Sequence, residues 1–319
     1  LSTGIEWTEK TWNWVVGCTK AGPECANCYA IPMAGRLEAI AIAAEKTGKN
    51  PGRTAHYKGL TVKKGDRRDW SGEVRFVPEA LEFPFTWHQP CLVFADSMSD
   101  AFHESVPFEW LDQACAVMAL TPQHTYQILT KRPDQMLAYF QSRIEDPLPF
   151  RAAIARAHYA SMRPAQDARR ATLSKTATFP LPNVWLGTSV GTQKAADERI
   201  PILAQVPAAV RFLSCEPLLE KIDLKLGDHA GAIHWIIAGG ESGHGARGTM
   251  ISDLTAIVQQ CHTHGVKCFV KQLGKLPYQD LDGIVSNYPI SDQKGKIMRE
   301  WPEALRVREW PEGGHLANF

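Results

Sequence analysis

Cys18, Cys25 and Cys28 crowd into one short segment near the start of the chain. The Cys25-X2-Cys28 step puts two thiolates on a single tight turn, and the Gly22-Pro23 bend returns Cys18 to them. Such a set suits an iron–sulfur cluster with one iron left open, or zinc with a fourth ligand brought from elsewhere. Zinc sites usually draw that ligand from a second nearby Cys or His pair, and the next such residue here is the distant His56. A redox dithiol needs only Cys25 and Cys28 and leaves Cys18 without a role; structural thiols without metal are the plain alternative. Cys91, Cys115, Cys261 and Cys268 fall in apolar or helical patterns and read as small buried hydrophobes, whereas Cys215 stands beside Glu216.

A ligand loop must be held by rigid elements. Short apolar runs recur at Trp14–Val16, Leu92–Ala95, Tyr126–Leu129, Val184–Gly187, Val210–Leu213, Trp235–Ala238 and Cys268–Val270. Their lack of alternation predicts strands buried on both faces, as in parallel sheets covered by helices. Between them, Ser105 and Pro107 open a helix whose apolar stripe is Phe108, Leu111, Cys115 and Met118. Ser252 is expected to cap another, with Leu254, Ile257, Val258 and Cys261 facing inward and Gly265 ending it. Asp197–Val206 reads as a third, with Pro201 early in it or kinking it. This repetition predicts an α/β fold, either a partial or full (β/α) barrel of parallel strands or a doubly wound sheet.

Polar residues follow the runs: Asp96-Ser97-Met98-Ser99-Asp100, Thr130-Lys131-Arg132, Ser189, Ser214-Cys215-Glu216-Pro217, Gly239-Gly240-Glu241-Ser242-Gly243 and Lys271-Gln272. Carboxyl ends of parallel strands share one face, and that face carries the site. The cysteine segment follows the first run directly and is expected there too. Each group alone reads equally well as a turn or a cap; six together point to a closed or nearly closed ring around one pocket.

Over 319 residues, 35 Lys and Arg nearly balance 34 acids, and a hydrophobic share of 44% excludes a disordered or fibrous protein. No apolar stretch is long enough to span a bilayer, and no basic-then-apolar leader opens the sequence, so no membrane partner is expected and the cytoplasm is the expected compartment. The overall balance hides two basic insertions. Residues 46–75 carry nine Lys or Arg against three acids, and residues 143–183 carry seven against three. With Tyr57, Trp70 and Tyr159 among them, they suit a phosphate backbone and stacked bases of DNA or RNA. Solvated loops with incidental charge are the equal alternative. Residues 1–277 are expected to form the barrel with these insertions, and 278–319 an extended C-terminal arm packed on it.

Several segments carry a family resemblance: Ile5-Glu6-Trp7-Thr8, Thr11-Trp12-Asn13, the Gly17–Ala30 cysteine segment, Ser97-Met98-Ser99-Asp100, and Leu129-Thr130-Lys131-Arg132-Pro133. Asn183-Val184-Trp185-Leu186-Gly187, Ala196-Asp197-Glu198-Arg199-Ile200-Pro201, Ser214-Cys215-Glu216-Pro217-Leu218, Gly239-Gly240-Glu241-Ser242-Gly243 and Lys271-Gln272 continue it. In order, from about residue 5 to 310, they resemble the phage Gp37/Gp68 family of three-Cys-motif proteins. That family looks like a divergent branch of the radical S-adenosylmethionine (SAM) superfamily, distantly similar to spore photoproduct lyase. The usual superfamily motif is Cys-X3-Cys-X2-Cys; here the last interval agrees and the first is longer, and Asn27 stands where an aromatic normally precedes the third cysteine.

The resemblance implies that Cys18, Cys25 and Cys28 ligate a [4Fe–4S] cluster whose open iron takes SAM, with an external electron donor. It offers Ser97, Ser99 and Asp100 for the methionine ammonium, Lys131 or Arg132 for its carboxylate, and Ser189 for the ribose. The Gly239-Gly240 turn would let backbone approach a ligand, with Glu241 as acceptor. Cys215 and Glu216 form the substrate-side pair, Cys215 as a hydrogen-atom donor or simply a core thiol. The implied activity is that of a lyase or modification enzyme in nucleic acid (DNA) repair or modification. A non-catalytic metal- or cluster-bearing nucleic-acid-binding protein, a hydrolase-like barrel with structural cysteines, and an accessory to a partner protein are the alternatives.

Overall fold

The computed structural model describes residues 3–311. Seven parallel strands form its centre: β1 (Lys10–Trp12), β2 (Leu92–Ala95), β3 (Thr125–Thr130), β4 (Val184–Ser189), β5 (Val210–Cys215), β6 (Trp235–Gly239) and β7 (Lys267–Gln272). They pair in chain order and curl into a half-barrel with helices outside, the partial form of the expected barrel. The helices are α1 (Ala30–Lys46), α2 (Phe108–Leu120), α3 (Pro133–Glu145), α4 (Leu148–Arg156), α5 (Pro164–Thr176), α6 (Gln193–Leu203) and α7 (Ile251–His264).

β2, β4 and β6 are buried at every residue, because helices cover one face and the curled interior fills the other. Alternation still sets side-chain direction. Phe94, Trp185, Phe212, Trp235, Ile237 and Phe269 meet inside, joined by Trp7 from the N-terminal segment. Their neighbours Leu213, Cys215, Ile236, Ala238 and Val270 join the helix-side core. Each buried aromatic ring removes about 150–250 Å² from water, about 4–6 kcal/mol at 25 cal/mol/Å². This aromatic floor closes the interior beneath the carboxyl-end loops.

Trp14–Val16, expected as the first barrel strand, is not one. β1 lies earlier, and Val15–Val16 pairs antiparallel with Arg75–Phe76. Asp96 causes the departure: its Oδ1 accepts the Trp14 and Val15 N–H groups at 3.1 and 3.0 Å and draws the chain off the sheet. The other runs are strands, each matched or lengthened by one to three residues. α6 starts at Gln193 rather than Asp197, because Thr192 caps it by accepting the Ala195 N–H at 3.2 Å; Pro201 therefore falls in its last turn. α7 has Met250, not Ser252, at its N-cap and ends as expected at Gly265, with φ +65°.

Both basic insertions are ordered, in different ways. Residues 46–75 hold a 3₁₀ turn, Gly52–Tyr57, and an antiparallel hairpin of Thr61–Lys64 with Arg67–Trp70. Residues 143–183 are not a loop: they form α4 and α5, packed on α2. There Arg151, Arg169 and Arg170 donate to the carbonyls of Ala177, Ala119 and Ala157, and Arg143 pairs with Asp112. Those cations hold helices together. Toward the C-terminus, a hairpin of Pro277–Leu281 and Ile284–Asn287 pairs with Thr249–Met250. Val307 and Glu309 then hydrogen-bond along β7 at 2.9 and 2.8 Å, covering that edge of the sheet. Residues 312–319 of the expected arm lie outside the described residues. No helix among the described residues is long and apolar enough to cross a membrane.

Candidate metal centre

Gly17 turns the chain into the cysteine loop with φ +91°, where a Cβ would stand 2.1 Å from the Glu73 carbonyl oxygen. Its N–H donates to the Met98 carbonyl at 3.3 Å, and it bridges Ser99, so Cys18 starts beside the loop that follows β2. Pro23–Cys25 makes one 3₁₀ turn. Cys28 ends the loop just ahead of α1, with the Ala30 and Ile31 N–H groups bonded to it. A helix N-terminus favours a thiolate at such a position. All three thiols are free and half-buried.

The three sulfurs share one electrostatic field. Burial pushes Cys18 up to about 12, Asp100 adds to the rise, Arg132 opposes it, and Cys25 and Cys28 raise it further. Burial likewise raises Cys28, opposed by the Ala30 N–H and by Lys131. Burial therefore favours the neutral thiols, and only a bound cation would reverse this balance. Among the described residues, no three His, Cys, Asp or Glu side chains converge as a group fit for a metal ion.

Three sets of contacts fix the loop over the carboxyl ends of the strands. Buried Glu24, between the cysteines, pairs with Arg199 of α6 at 2.9 Å and also accepts the Gly191 N–H after β4 at 3.3 Å. Gly22 and Gly191 make room for it, since a Cβ at either would meet Glu24 at 2.4 and 2.6 Å. On the second side, Glu241 accepts from Asn27 Nδ2 at 3.0 Å and from the Arg247 backbone and guanidinium at 2.8–3.1 Å. Arg247 Nη1 in turn donates to the Pro23 carbonyl at 2.9 Å. On the third, Thr19 Oγ1 accepts from Arg132 Nη2 at 2.6 Å and bonds His103 Nε2 at 2.8 Å. His103 Nδ1 accepts the Ser105 N–H, so Nε2 carries the proton and donates.

Rim residues expected from sequence divide by what they already hold. Asp100 takes the Thr130 hydroxyl, the Phe102 and Lys131 N–H groups and Arg132 Nη1, so no acceptor direction is left for an ammonium. Arg132 is spent on Asp100, Glu104 and Thr19. Ser97 and Ser99 donate to Asn13 Oδ1 and the Val15 carbonyl. Glu241 is a strap for the loop, and Gly240 is glycine because a Cβ would stand 2.2 Å from the Leu273 carbonyl oxygen, a packing need rather than room for a ligand. The Gly239 carbonyl accepts the Leu218 N–H. Cys215 is fully buried on the helix side, where Cys268 and Cys261 are its neighbours, so it is a core thiol off the rim. Among the described residues, what stays open to a ligand is Lys131, whose Nζ donates to the Ser189 hydroxyl at 3.2 Å, and the Glu216–Lys271 pair at 2.5 Å.

The family described as Protein of unknown function (DUF5131) matches residues 2–305. The chain belongs to that family. Neither the curated proteins nor the solved structures give a match to it. In this DUF5131 chain, sequence reading missed Asn13, Glu24, Asn27, Arg199 and Arg247, which tie the loop down. Arg199 left a signal: it lies on the buried face of α6 with Ala195, Ala196 and Ile200, where an arginine needs a buried acid. Asn27 and Arg247 left none, since their meeting depends on the fold.

Proposed function

We propose that the chain is a radical SAM enzyme that holds a [4Fe–4S] cluster on Cys18, Cys25 and Cys28 and acts on nucleic acid. The observation that carries this reading is the position of the three-thiol loop: tied by Glu24, Asn27 and Thr19 over the strand ends, with Lys131, Ser189, Glu216 and Lys271 on the same rim. A cluster gives each sulfur its own iron, so its ligands ring a wider volume than those of one tetrahedral ion. The resemblance to three-Cys-motif proteins supports the same choice. When bound and reduced, such a cluster supplies one-electron cleavage of the SAM sulfonium.

The chain's own groups supply the rest. Lys131 is the cation left to hold a carboxylate, and Ser189 beside it suits a hydroxyl. Glu216 and Lys271 can orient a substrate or hold its proton between them. The aromatic floor keeps water out from below. For nucleic acid, the hairpin carries exposed Lys63, Lys64 and Arg67, and Arg67 Nη2 lies 4.0 Å from the Cβ position of Gly245, beside Asn27 of the cysteine loop. The second insertion, with its arginines committed to helices, takes no part in this reading.

The test is anaerobic reconstitution of the full chain, then SAM and dithionite. 5′-Deoxyadenosine formation that disappears in Cys25→Ala supports the proposal. Zinc uptake with no SAM cleavage would overturn it in favour of a non-catalytic binding protein.

A further inference from the structure

A groove of about 780 Å³ runs beside β1, the end of the sheet opposite the edge covered by Val307 and Glu309. Pockets for small organic ligands span about 300–1,000 Å³. Two cations line the groove, each laid over an aromatic ring: Arg53 is 4.3 Å from the Phe83 centroid, and Lys10 is 5.3 Å from that of Trp87. Among the described residues neither cation forms an ion pair. Glu79, the acid whose charge Arg53 feels, is engaged by His56 at 2.5 Å. Thr54 and Thr86 spend their hydroxyl protons on the Pro51 and Phe83 carbonyls, leaving their oxygens to accept.

An apolar ligand would bury both cations unpaired, and a simple dicarboxylate would meet the cations but not the aromatic wall. An anion with a flat aromatic body satisfies both. Asn13 also lines the groove, and its Oδ1 accepts from Ser97 Oγ and the Met98 N–H at 3.1 and 3.0 Å. Ser97 in turn accepts the Tyr29 hydroxyl at 2.7 Å, next to Cys28. The groove is therefore lined by Arg53, Thr54 and Tyr57 of the first insertion and by Asn13, which bonds the loop that holds Ser97.

We propose that this groove binds a nucleotide unit of the substrate, its phosphate held by Lys10 and Arg53 and its base against the Trp87–Phe83 wall. The inference rests on the nucleic-acid part of the reading above and not on the cluster. Lys10 and Arg53 are thus positioning residues for one phosphate and Trp87 the contact for its base, whereas the hairpin cations only follow the backbone.

The test titrates the full chain with a deoxynucleoside monophosphate and with a single-stranded oligonucleotide of about ten nucleotides, at two salt concentrations. Expected is binding that Lys10→Gln with Arg53→Gln weakens at least tenfold, the log–log salt slope falling by about two. Trp87→Leu should also weaken it, while Lys63→Gln with Arg67→Gln should weaken the oligonucleotide alone. Equal affinities would make the ligand a free nucleotide, and a tighter oligonucleotide a strand; both support a nucleotide site. No binding by either probe, affinity unchanged in the Lys10/Arg53 variant with an unaltered melting temperature, or displacement of the nucleotide by SAM overturns it. Iron content and 5′-deoxyadenosine formation, measured on the same preparations, separate its failure from failure of the enzyme reading.

Discussion

Six of the eight cysteines form two groups of opposite character. Cys18, Cys25 and Cys28 are half-buried on a loop fixed by ion pairs and hydrogen bonds to the strand ends. Cys215, Cys261 and Cys268 are at most 2% exposed and lie among aliphatic side chains between β5, β7 and α7. Desolvation raises the Cys215 thiol with no cation to oppose it, whereas Cys18 and Cys28 have Arg132 and Lys131 in reach. Both groups bring three thiols together, and what separates them is the side of the sheet they face. Cys215 and Glu216 are adjacent in sequence, yet alternation sends one into the helix layer and leaves the other on the rim.

The comparison is open to direct attack. The largest effect is expected on cofactor content: Cys18→Ala, Cys25→Ala or Cys28→Ala should each lose nearly all bound iron, measured by metal analysis, and Cys215→Ala none. Equal losses in the two groups would erase the distinction. Next comes the anchor of the rim loop. Arg199→Leu strands the Glu24 carboxylate in a buried site and should cost about 3–5 kcal/mol in denaturant unfolding, with part recovered when Glu24→Gln is added. No recovery in the double variant would mean that the pair is not the loop's support. Smaller is the cost of a polar atom in the other group: Cys215→Ser should lose about 1–3 kcal/mol with iron content intact. Smallest is a difference of rate, in which a maleimide labels the rim thiols of the metal-free chain and reaches the core three only on unfolding. Labelling of Cys215 in the folded chain would place it at the surface after all.

Much of the sheet was legible because burial on both faces leaves uninterrupted apolar runs such as Leu92–Ala95 and Trp235–Ala238. The first strand was misread because Trp14–Val16 has strong β character and its competitor, Asp96, is some eighty residues away. Whether the barrel closes was not readable, since closure depends on curl and not on the composition of any run. The rim positions were visible as polar residues after strands. Their roles were not, because a free and a saturated carboxylate look alike in sequence: Asp100 and Glu241 are filled by Arg132, Arg247 and Asn27, partners set by topology. The second insertion shows the same limit, its cations capping helix ends that only the packed chain brings near.

Iron and acid-labile sulfide per chain, determined after anaerobic reconstitution of the 319-residue chain, test the central assignment most directly. About four of each, falling to near zero when Cys28 is replaced by Ala, is the expected result. One zinc per chain, or iron that survives that replacement, would contradict it.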